Sequence, residues 1–190
     1  MKKIIIIGNG GHANSLLDVV KNIKSLKFSG FVTKNKKAKK GFWTDKDLKS
    51  IFKTIKYAAI GVGQIKDPNT RLKIFKKLKK IGFKLPTIIS PYSYVSKSAI
   101  IKEGSMVMHG AVINANVKIG KNCIINSKAL IEHDVVIGDN CHISTSSTIN
   151  GNSKISENSF IGSGAIVVNN IEIGKSKFIK AGTVVKKSLK

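Results

Sequence analysis

An unbroken six-residue period runs through the second half of the sequence. Every sixth position from Val95 to Val185 holds Ile or Val, with no insertion and no skipped step. A period of six fits neither the 3.6-residue repeat of a helix nor the two-residue alternation of a flat strand. It is typical of a chain wound as a triangular prism, with three short flats per turn and one inward side chain on each. The period therefore predicts a parallel β-helix with a coil of 18 residues.

The residues between the inward positions support the same winding. Four residues after most inward positions stands Ser, Ala or Cys, and a tightly wound corner leaves room for little more. Glycine directly follows the inward Ile at positions 119, 137, 161 and 173, and Asn and Gly elsewhere suit turns with positive φ. Cys123 and Cys141 lie one coil apart, so we predict that they stack as packed core thiols. A disulfide or a metal pair is the alternative.

Residues 1–86 carry a different pattern, which predicts a small α/β domain with a Rossmann-like βαβ unit, and residues 87–190 form the β-helix domain. Lys2 to Ile7 reads as a buried parallel strand, followed by the turn Gly8-Asn9-Gly10-Gly11-His12-Ala13 and an amphipathic helix. A strand, a glycine turn and a helix in this order form a cradle for a phosphate or nucleotide, although a tight turn without a ligand has the same pattern. A nicotinamide cofactor is disfavoured, because Thr33-Lys34 stands where an acidic residue should close the second strand.

A short helix is predicted within residues 42–52, and a third helix of this domain after the short strand at 57–62. Asp67-Pro68 combines a capping residue with a proline suited to the first helical turn, and Gly82 ends the helix. The apolar spacing predicts a buried helix face made of Leu72, Phe75, Leu78 and Ile81.

The formal net charge of +24 at pH 7 would ordinarily suggest a nucleic-acid partner. Lysine is spread over the whole chain, however, with hardly any arginine and no interleaved aromatic residues. We therefore expect no nucleic-acid binding, and attribute to the charge a faster encounter with an anionic substrate.

The sequence has no apolar run long enough to span a membrane and no signal-peptide core, which predicts a cytoplasmic protein without a membrane span.

The residues with most chemical potential are Glu132-His133-Asp134. An imidazole beside a carboxylate can be held in one tautomer and made more basic. Gly151 lies one coil above His133, where a backbone N–H could face a developing oxyanion. A surface histidine without a role is the alternative. The spacing of the histidines, including His109, matches no metal site, so we expect no bound metal.

Several motifs together resemble one known family. They are GNGGHA in the N-terminal turn, Asn69-Thr70-Arg71-Leu72-Lys73, Leu85-Pro86-Thr87-Ile88-Ile89-Ser90-Pro91, Ile125-Asn126-Ser127, Ile131-Glu132-His133-Asp134 and Cys141-His142-Ile143-Ser144. They resemble the hexapeptide-repeat sugar acetyltransferases, the group of sialic acid O-acetyltransferases and UDP-4-amino-sugar N-acetyltransferases. Members of that family are left-handed β-helix homotrimers that use acetyl-CoA and have active sites between subunits.

The resemblance implies a role for each matching residue. His133 would be the general base, Asp134 would raise its basicity, and the N–H of Gly151 would stabilise the oxyanion. Acetyl-CoA would be contacted by His142, Ser163 and Ala181. The sugar or sugar nucleotide would be bound by Gly10, Gly11, His12, Thr33, Lys34 and Gly61.

Two departures from the family pattern concern the ligands. Thr33-Lys34 replaces the acidic pair that binds uracil in the UDP-sugar enzymes, which leaves room for another nucleotide or a free sugar acid. A C-terminal Gly-x-Pro-Ala segment beside the coenzyme is missing from this sequence.

The implied function is acetyl transfer to an amino or hydroxyl group of a sugar in bacterial surface glycan synthesis. A non-catalytic sugar-nucleotide-binding scaffold is the alternative.

Overall fold

The apolar run near the N-terminus forms a central strand of a parallel sheet in the computed structural model, which describes residues 1–34 and 42–190. The sheet contains β1 (Lys2–Ile7), β2 (Leu26–Thr33), β3 (Phe42–Thr44) and β4 (Tyr57–Ile60), in the order β3-β2-β1-β4. The helices of this domain are α1 (Gly11–Lys21), α2 (Leu48–Thr54) and α3 (Asn69–Ile81), and a 3-10 turn covers Asp45–Asp47. All three strand pairs are parallel, as a βαβ arrangement requires.

The third helix begins and ends close to the predicted positions. The Asp67 carboxylate accepts a hydrogen bond of 2.9 Å from the Asn69 N–H at the start of α3. Gly82 follows the last turn with a φ of 106°, and its N–H bonds to the carbonyls of Leu78 and Lys79. A residue with a side chain would be strained at this φ, which explains why glycine ends the helix.

The buried face of α3 differs from the predicted one. Leu78 is fully buried, but Leu72, Phe75 and Ile81 are only partly buried, and the other fully buried residue of the helix is Arg71. Leu78, Phe75 and Ile81 do pack against the domain core, so that part of the prediction is confirmed. Arg71 was missed because α3 also packs against polar turns of the β-helix, where backbone carbonyls accept hydrogen bonds from the buried guanidinium.

Residues from Ile88 onward wind into a triangular prism of two-residue strands. Each strand pairs in parallel with the one 18 residues further on, as Ile119 does with Ile137. Three sheets result. We name one after the N-terminal domain that covers it and the other two after their outward side chains. The domain face consists of β5 (Ile88–Ile89), β8 (Met106–Val107), β11 (Ile124–Ile125), β14 (His142–Ile143), β17 (Phe160–Ile161) and β20 (Phe178–Ile179). The apolar face consists of β6 (Tyr94–Val95), β9 (Val112–Ile113), β12 (Leu130–Ile131), β15 (Thr148–Ile149), β18 (Ile166–Val167) and β21 (Val184–Val185). The charged face consists of β7 (Ile100–Ile101), β10 (Lys118–Ile119), β13 (Val136–Ile137), β16 (Lys154–Ile155) and β19 (Glu172–Ile173).

The second residue of each strand points into the prism and forms a continuous core. From Val107 to Val185 these inward Ile and Val side chains are at most 6% exposed. A turn residue in the left-handed region recurs every sixth position from Gly104 to Gly182, which fits the predicted turns with positive φ. Cys123 and Cys141 are buried in this core as free thiols.

The N-terminal domain packs on the domain face. Ile88, Met106 and Ile124 project outward from that face into a common apolar cluster with Ile4, Leu16 and other residues of β1 and α1. Polar contacts also join the two domains at the edge of this cluster. His109 of the β-helix bonds through Nδ1 to Ser90 Oγ at 2.6 Å and through Nε2 to Asp18 of α1 at 2.9 Å. No helix in the described ranges is long and apolar enough to cross a membrane.

Candidate active site

The turns between the apolar and charged faces, which we name the His133 edge, place His133 beside Asp134. Asp134 has a φ of 60°, and this turn brings its Oδ2 to 2.8 Å from His133 Nδ1. Its other oxygen accepts a hydrogen bond of 3.1 Å from Asn116, one coil below. The hydrogen bond from His133, and then that from Asn116, hold the pKa of Asp134 below its usual value. Because a carboxylate only accepts, Nδ1 carries the proton and Nε2 presents its lone pair.

Gly151 lies against this imidazole, as its position one coil above predicted. A Cβ placed on Gly151 would be 2.7 Å from both Cε1 and Nε2 of His133, closer than real contacts allow. Within the described parts of the chain, the Gly151 N–H donates to no protein acceptor, whereas the neighbouring Asn152 N–H bonds to the His133 carbonyl. The edge therefore holds an oriented base and a free backbone donor side by side.

A cavity of about 810 Å³ in the N-terminal domain brings together every residue predicted to bind the sugar. Gly10, Gly11, His12, Thr33, Lys34 and Gly61 all line it. Gly10 and Gly11 have no neighbouring atom within 4 Å of an added Cβ, so they keep the cavity open beside the start of α1. A helix start with free backbone N–H groups favours an anionic ligand.

Three lysines give this pocket a positive rim, and two of them were missed from the sequence. We name it the acceptor pocket after the ligand that the sequence predicted for it. Lys73 and Lys77 line the pocket together with Lys34, and Asp45 pairs with Lys77 at 3.0 Å. Lys73 and Lys77 are four residues apart and so share one face of α3. The four-residue spacing of these two lysines could have predicted a shared basic surface on α3. It was missed because lysine is abundant along the whole helix.

Two histidines meet at the junction of the domains, and both stay neutral at neutral pH. Burial, more than the charges of Arg71 and His142, lowers the pKa of His12 to about 4. Burial also lowers the pKa of His142 to about 4, against an opposing hydrogen bond to Gln64. The Nε2 of His12 is buried, and no partner for it lies among the residues that the structure describes.

The hydrogen bonds of His142 fix its tautomer. Its Nδ1 lies within hydrogen-bond distance of the Gln64 carbonyl, which can only accept, so Nδ1 carries the proton. Its Nε2 then accepts from the Asn126 amide at 3.2 Å, and the Ser127 N–H holds that amide in place through Asn126 Oδ1. With both ring nitrogens engaged and 5% of the residue exposed, His142 is a poor candidate for a base.

Ser163 and Ala181 lie on a different edge of the prism, between the domain and apolar faces, which we name the Ser163 edge. Both residues are exposed, and the Gly182 N–H bonds to the Ser163 carbonyl at 2.9 Å, so the two turns stack.

The structure thus gathers the predicted residues into three places: the His133 edge, the Ser163 edge and the acceptor pocket. His142 lies under the N-terminal domain, apart from the two residues predicted to share its ligand. In the described residues, no group of three or more His, Cys, Asp or Glu side chains could hold a metal ion.

The fold defines a hexapeptide-repeat protein with an N-terminal α/β domain, and two family matches agree. Residues 3–78 match the PglD N-terminal domain, and residues 98–133 and 116–151 match the bacterial transferase hexapeptide repeat. The chain carries both of these domains, and the predicted family resemblance and left-handed β-helix are confirmed.

Solved structures of similar proteins span the whole chain. One is a histidine-to-asparagine mutant of perosamine N-acetyltransferase from Caulobacter crescentus, in complex with CoA and GDP-perosamine. It is 28% identical, with a TM-score of 0.91 over 100% of this chain and 90% of that one. Another is the acetyltransferase domain of PglB from Neisseria gonorrhoeae, 27% identical, with a TM-score of 0.86 over 100% of this chain and 94% of that one. The same domain in complex with acetyl coenzyme A is 29% identical, with a TM-score of 0.87 over 99% and 92% of the two chains.

Proposed function

We propose that this protein transfers the acetyl group of acetyl-CoA to an amino or hydroxyl group of a nucleotide-linked or sialic-acid-like sugar in bacterial surface glycan synthesis. The observation that carries the proposal is the His133 edge, where an oriented imidazole with a free Nε2 lies against Gly151. The acceptor pocket and the relatives that bind CoA with GDP-perosamine, or acetyl coenzyme A, support it. The proposal implies a cytoplasmic location, because acetyl-CoA is made there.

In this reaction His133 is the general base. Its Nε2 takes a proton from the acceptor nitrogen or oxygen as that atom attacks the carbonyl carbon of the thioester. The carbonyl oxygen becomes an oxyanion, to which the Gly151 N–H donates. Collapse of the intermediate breaks the carbon–sulfur bond, and the leaving thiolate takes the proton from the His133 imidazolium. Asp134 keeps Nδ1–H in place and stabilises that imidazolium.

The acceptor pocket supplies the sugar from the N-terminal domain. The start of α1 at Gly10 and Gly11 binds an anionic part of the ligand, and the lysine rim increases the affinity for it. His12 is neutral and lines the pocket, so its ring can pack against the sugar without adding charge. Since the perosamine relative is an N-acetyltransferase, an amino sugar is the first acceptor to test.

The coenzyme lies along the Ser163 edge in this proposal, held by the exposed turns at Ser163 and Ala181. His142 contributes from below, because its ring is buried and reaches that edge only through Asn126. The hydrogen bond that the Asn126 amide donates to His142 Nε2 holds the Asn126 side chain against the prism, two coils below the turn at Ser163.

The proposed active site needs a second copy of the chain. The His133 edge and the Ser163 edge flank the apolar face, whose outward residues are Tyr94, Val112, Leu130, Thr148, Ile166 and Val184. Several of these are half exposed, including Tyr94 at 59% and Val184 at 48%. If three copies pack this face around a threefold axis, the His133 edge of one copy meets the Ser163 edge of the next. We therefore propose a homotrimer with three shared sites.

The test is the release of free thiol from acetyl-CoA by the purified protein. Acceptors would include GDP-perosamine, a UDP-4-amino sugar, CMP-sialic acid and free sialic acid, with mass spectrometry of the product to separate N- from O-acetylation. We expect acceptor-dependent thiol release with at least one nucleotide-linked amino sugar. Tight binding of the nucleotide sugar without any transfer would contradict the proposal and favour a non-catalytic scaffold.

A further inference from the structure

Arg71 is the single arginine of a chain that otherwise uses lysine for every basic side chain. It is 0% exposed and stands among the largest fully buried side chains of the protein. In the parts of the chain that the structure describes, no carboxylate forms an ion pair with it. A buried charge without a counter-ion is costly unless its hydrogen bonds are satisfied. The position therefore demands an explanation beyond packing.

The guanidinium donates hydrogen bonds to four backbone carbonyls, two in the N-terminal domain and two in the β-helix. Nη1 donates to Ile60 at 2.7 Å and to Val62 at 2.9 Å. Nε donates to Asn122 at 3.2 Å, and Nη2 lies 3.4 Å from the Gly104 carbonyl. Burial lowers the pKa of Arg71 to about 9, which still leaves it charged at neutral pH. A lysine ammonium has three donors at one point and cannot match this planar spread.

The two pairs of carbonyls that accept from Arg71 lie in different parts of the protein. Ile60 and Val62 flank Gly61, and the segment from Gly61 to Gly63 lines the acceptor pocket. An added Cβ at Gly61 would lie 2.7 Å from the Ala13 Cβ, so this segment is already pressed against the start of α1. Asn122 and Gly104 belong to turns of the β-helix. Arg71 thus ties one wall of the acceptor pocket directly to the coils.

We propose that Arg71 is a positioning residue, whose guanidinium holds the pocket wall at Gly61 in fixed register with the β-helix so that the acceptor reaches the transferring group correctly. This inference rests on the proposed acetyl transfer. Its positive charge also contributes to the low pKa values of His12 and His142, which keeps both rings neutral beside the pocket. Displacement of a bound reactant by about 1 Å can cost on the order of 100-fold in rate.

The experiment compares Arg71→Lys and Arg71→Met with Lys79→Met. Lys79 is the matched control, because it also joins α3 to the β-helix, through Glu103 at 2.7 Å, but lines no part of the pocket. For both Arg71 variants we expect kcat/KM for the acceptor to fall about 100-fold while the KM for acetyl-CoA stays within about twofold. The control should keep both values. Folded Arg71 variants with unchanged acceptor kinetics, or with both substrates affected alike, would overturn the inference.

A second measurement covers the case in which the variants do not fold. Arginine labelled with ¹⁵N gives a single Nε–H resonance in this protein, since the chain has one arginine. Titration of the wild type with GDP-perosamine should shift that resonance, and titration with CoA alone should not. An unshifted resonance at saturating GDP-perosamine, with binding verified by calorimetry, would contradict the inference. Wild-type protein that releases no thiol would instead count against the proposed function, and the titration would still test Arg71 by binding.

Discussion

At the scale of single residues, the contact between His133 and Gly151 is the most sensitive feature of the candidate site. The imidazole is exposed on one side and lies against the Gly151 Cα on the other. Its position is thus determined by the absence of a side chain, which makes the glycine as important to the geometry as the base itself.

Gly151→Ala tests this contact without removing the base. The added Cβ would lie 2.7 Å from the imidazole, so the ring must move away from the oxyanion position. We expect kcat to fall about 100-fold, because general-base catalysis depends on this alignment. The melting temperature should change little, since a half-exposed ring can move at small cost. A melting curve and thiol-release kinetics on the same preparation check both statements; near wild-type kcat would contradict the assignment.

Gly10 and Gly61 line the same pocket but should respond oppositely to substitution. A side chain at Gly10 meets no atom within 4 Å, whereas a Cβ at Gly61 would lie 2.7 Å from both Ala13 and Ile6. We expect Gly10→Leu to fold normally and to raise the KM for the acceptor by at least about 10-fold, because it occupies the cavity. Gly61→Ala should lower the melting temperature through overpacking, which typically costs about 1–3 kcal/mol. Calorimetric Kd values and thermal melts separate the two effects; equal behaviour of the two variants would be inconsistent with this pocket.

At the scale of elements, the junction between the N-terminal domain and the β-helix is built around neutral histidines. His12 follows the glycine turn and His142 lies on β14, and each has a pKa lowered from 6.5 to about 4. The unfolded chain therefore binds more protons than the folded protein when the pH is between about 6.5 and 4.

The stability of the protein should accordingly fall as the pH falls through this window. Each histidine should lower the free energy of unfolding by on the order of 2 kcal/mol between pH 7 and pH 5, because the unfolded side chain gains a proton that the folded one excludes. Urea denaturation at several pH values measures the slope. His142→Gln should flatten it, because the substitution removes one of the two side chains that the folded protein keeps neutral. A stability that is constant from pH 7 to pH 5 would contradict this description of the junction.

The elements also differ in how far the sequence predicts them. The inward Ile and Val recur every sixth residue, so the coils and the stacking of Gly151 on His133 follow directly from counting. The junction does not follow, because burial of Arg71 and His142 depends on which face of the prism the N-terminal domain covers. The apolar outward residues of the domain face and of the apolar face look alike in sequence, and only the packing of Ile88, Met106 and Ile124 distinguishes them.

At the scale of the whole molecule, the central claim is that one active site is built from two copies of the chain. The residues proposed for catalysis and for the coenzyme lie on opposite edges of the apolar face, and threefold packing is the arrangement that joins them. The N-terminal domain covers the domain face, which borders the Ser163 edge, so in this packing the pocket and the coenzyme edge of one copy meet the base of the next. A single copy then has a base, a pocket and a coenzyme edge, but no complete site.

Subunit mixing tests that claim most directly. His133→Ala lacks the base but keeps the acceptor pocket, and Gly10→Leu has a blocked pocket but keeps the base, so each homotrimer should have little activity. After the two proteins are unfolded, mixed in equal amounts and refolded, about a quarter of the interfaces should combine an intact His133 with an intact pocket from the neighbouring copy. We predict recovery of about a quarter of the wild-type thiol release. A mixture no more active than its two components would contradict a site shared between copies.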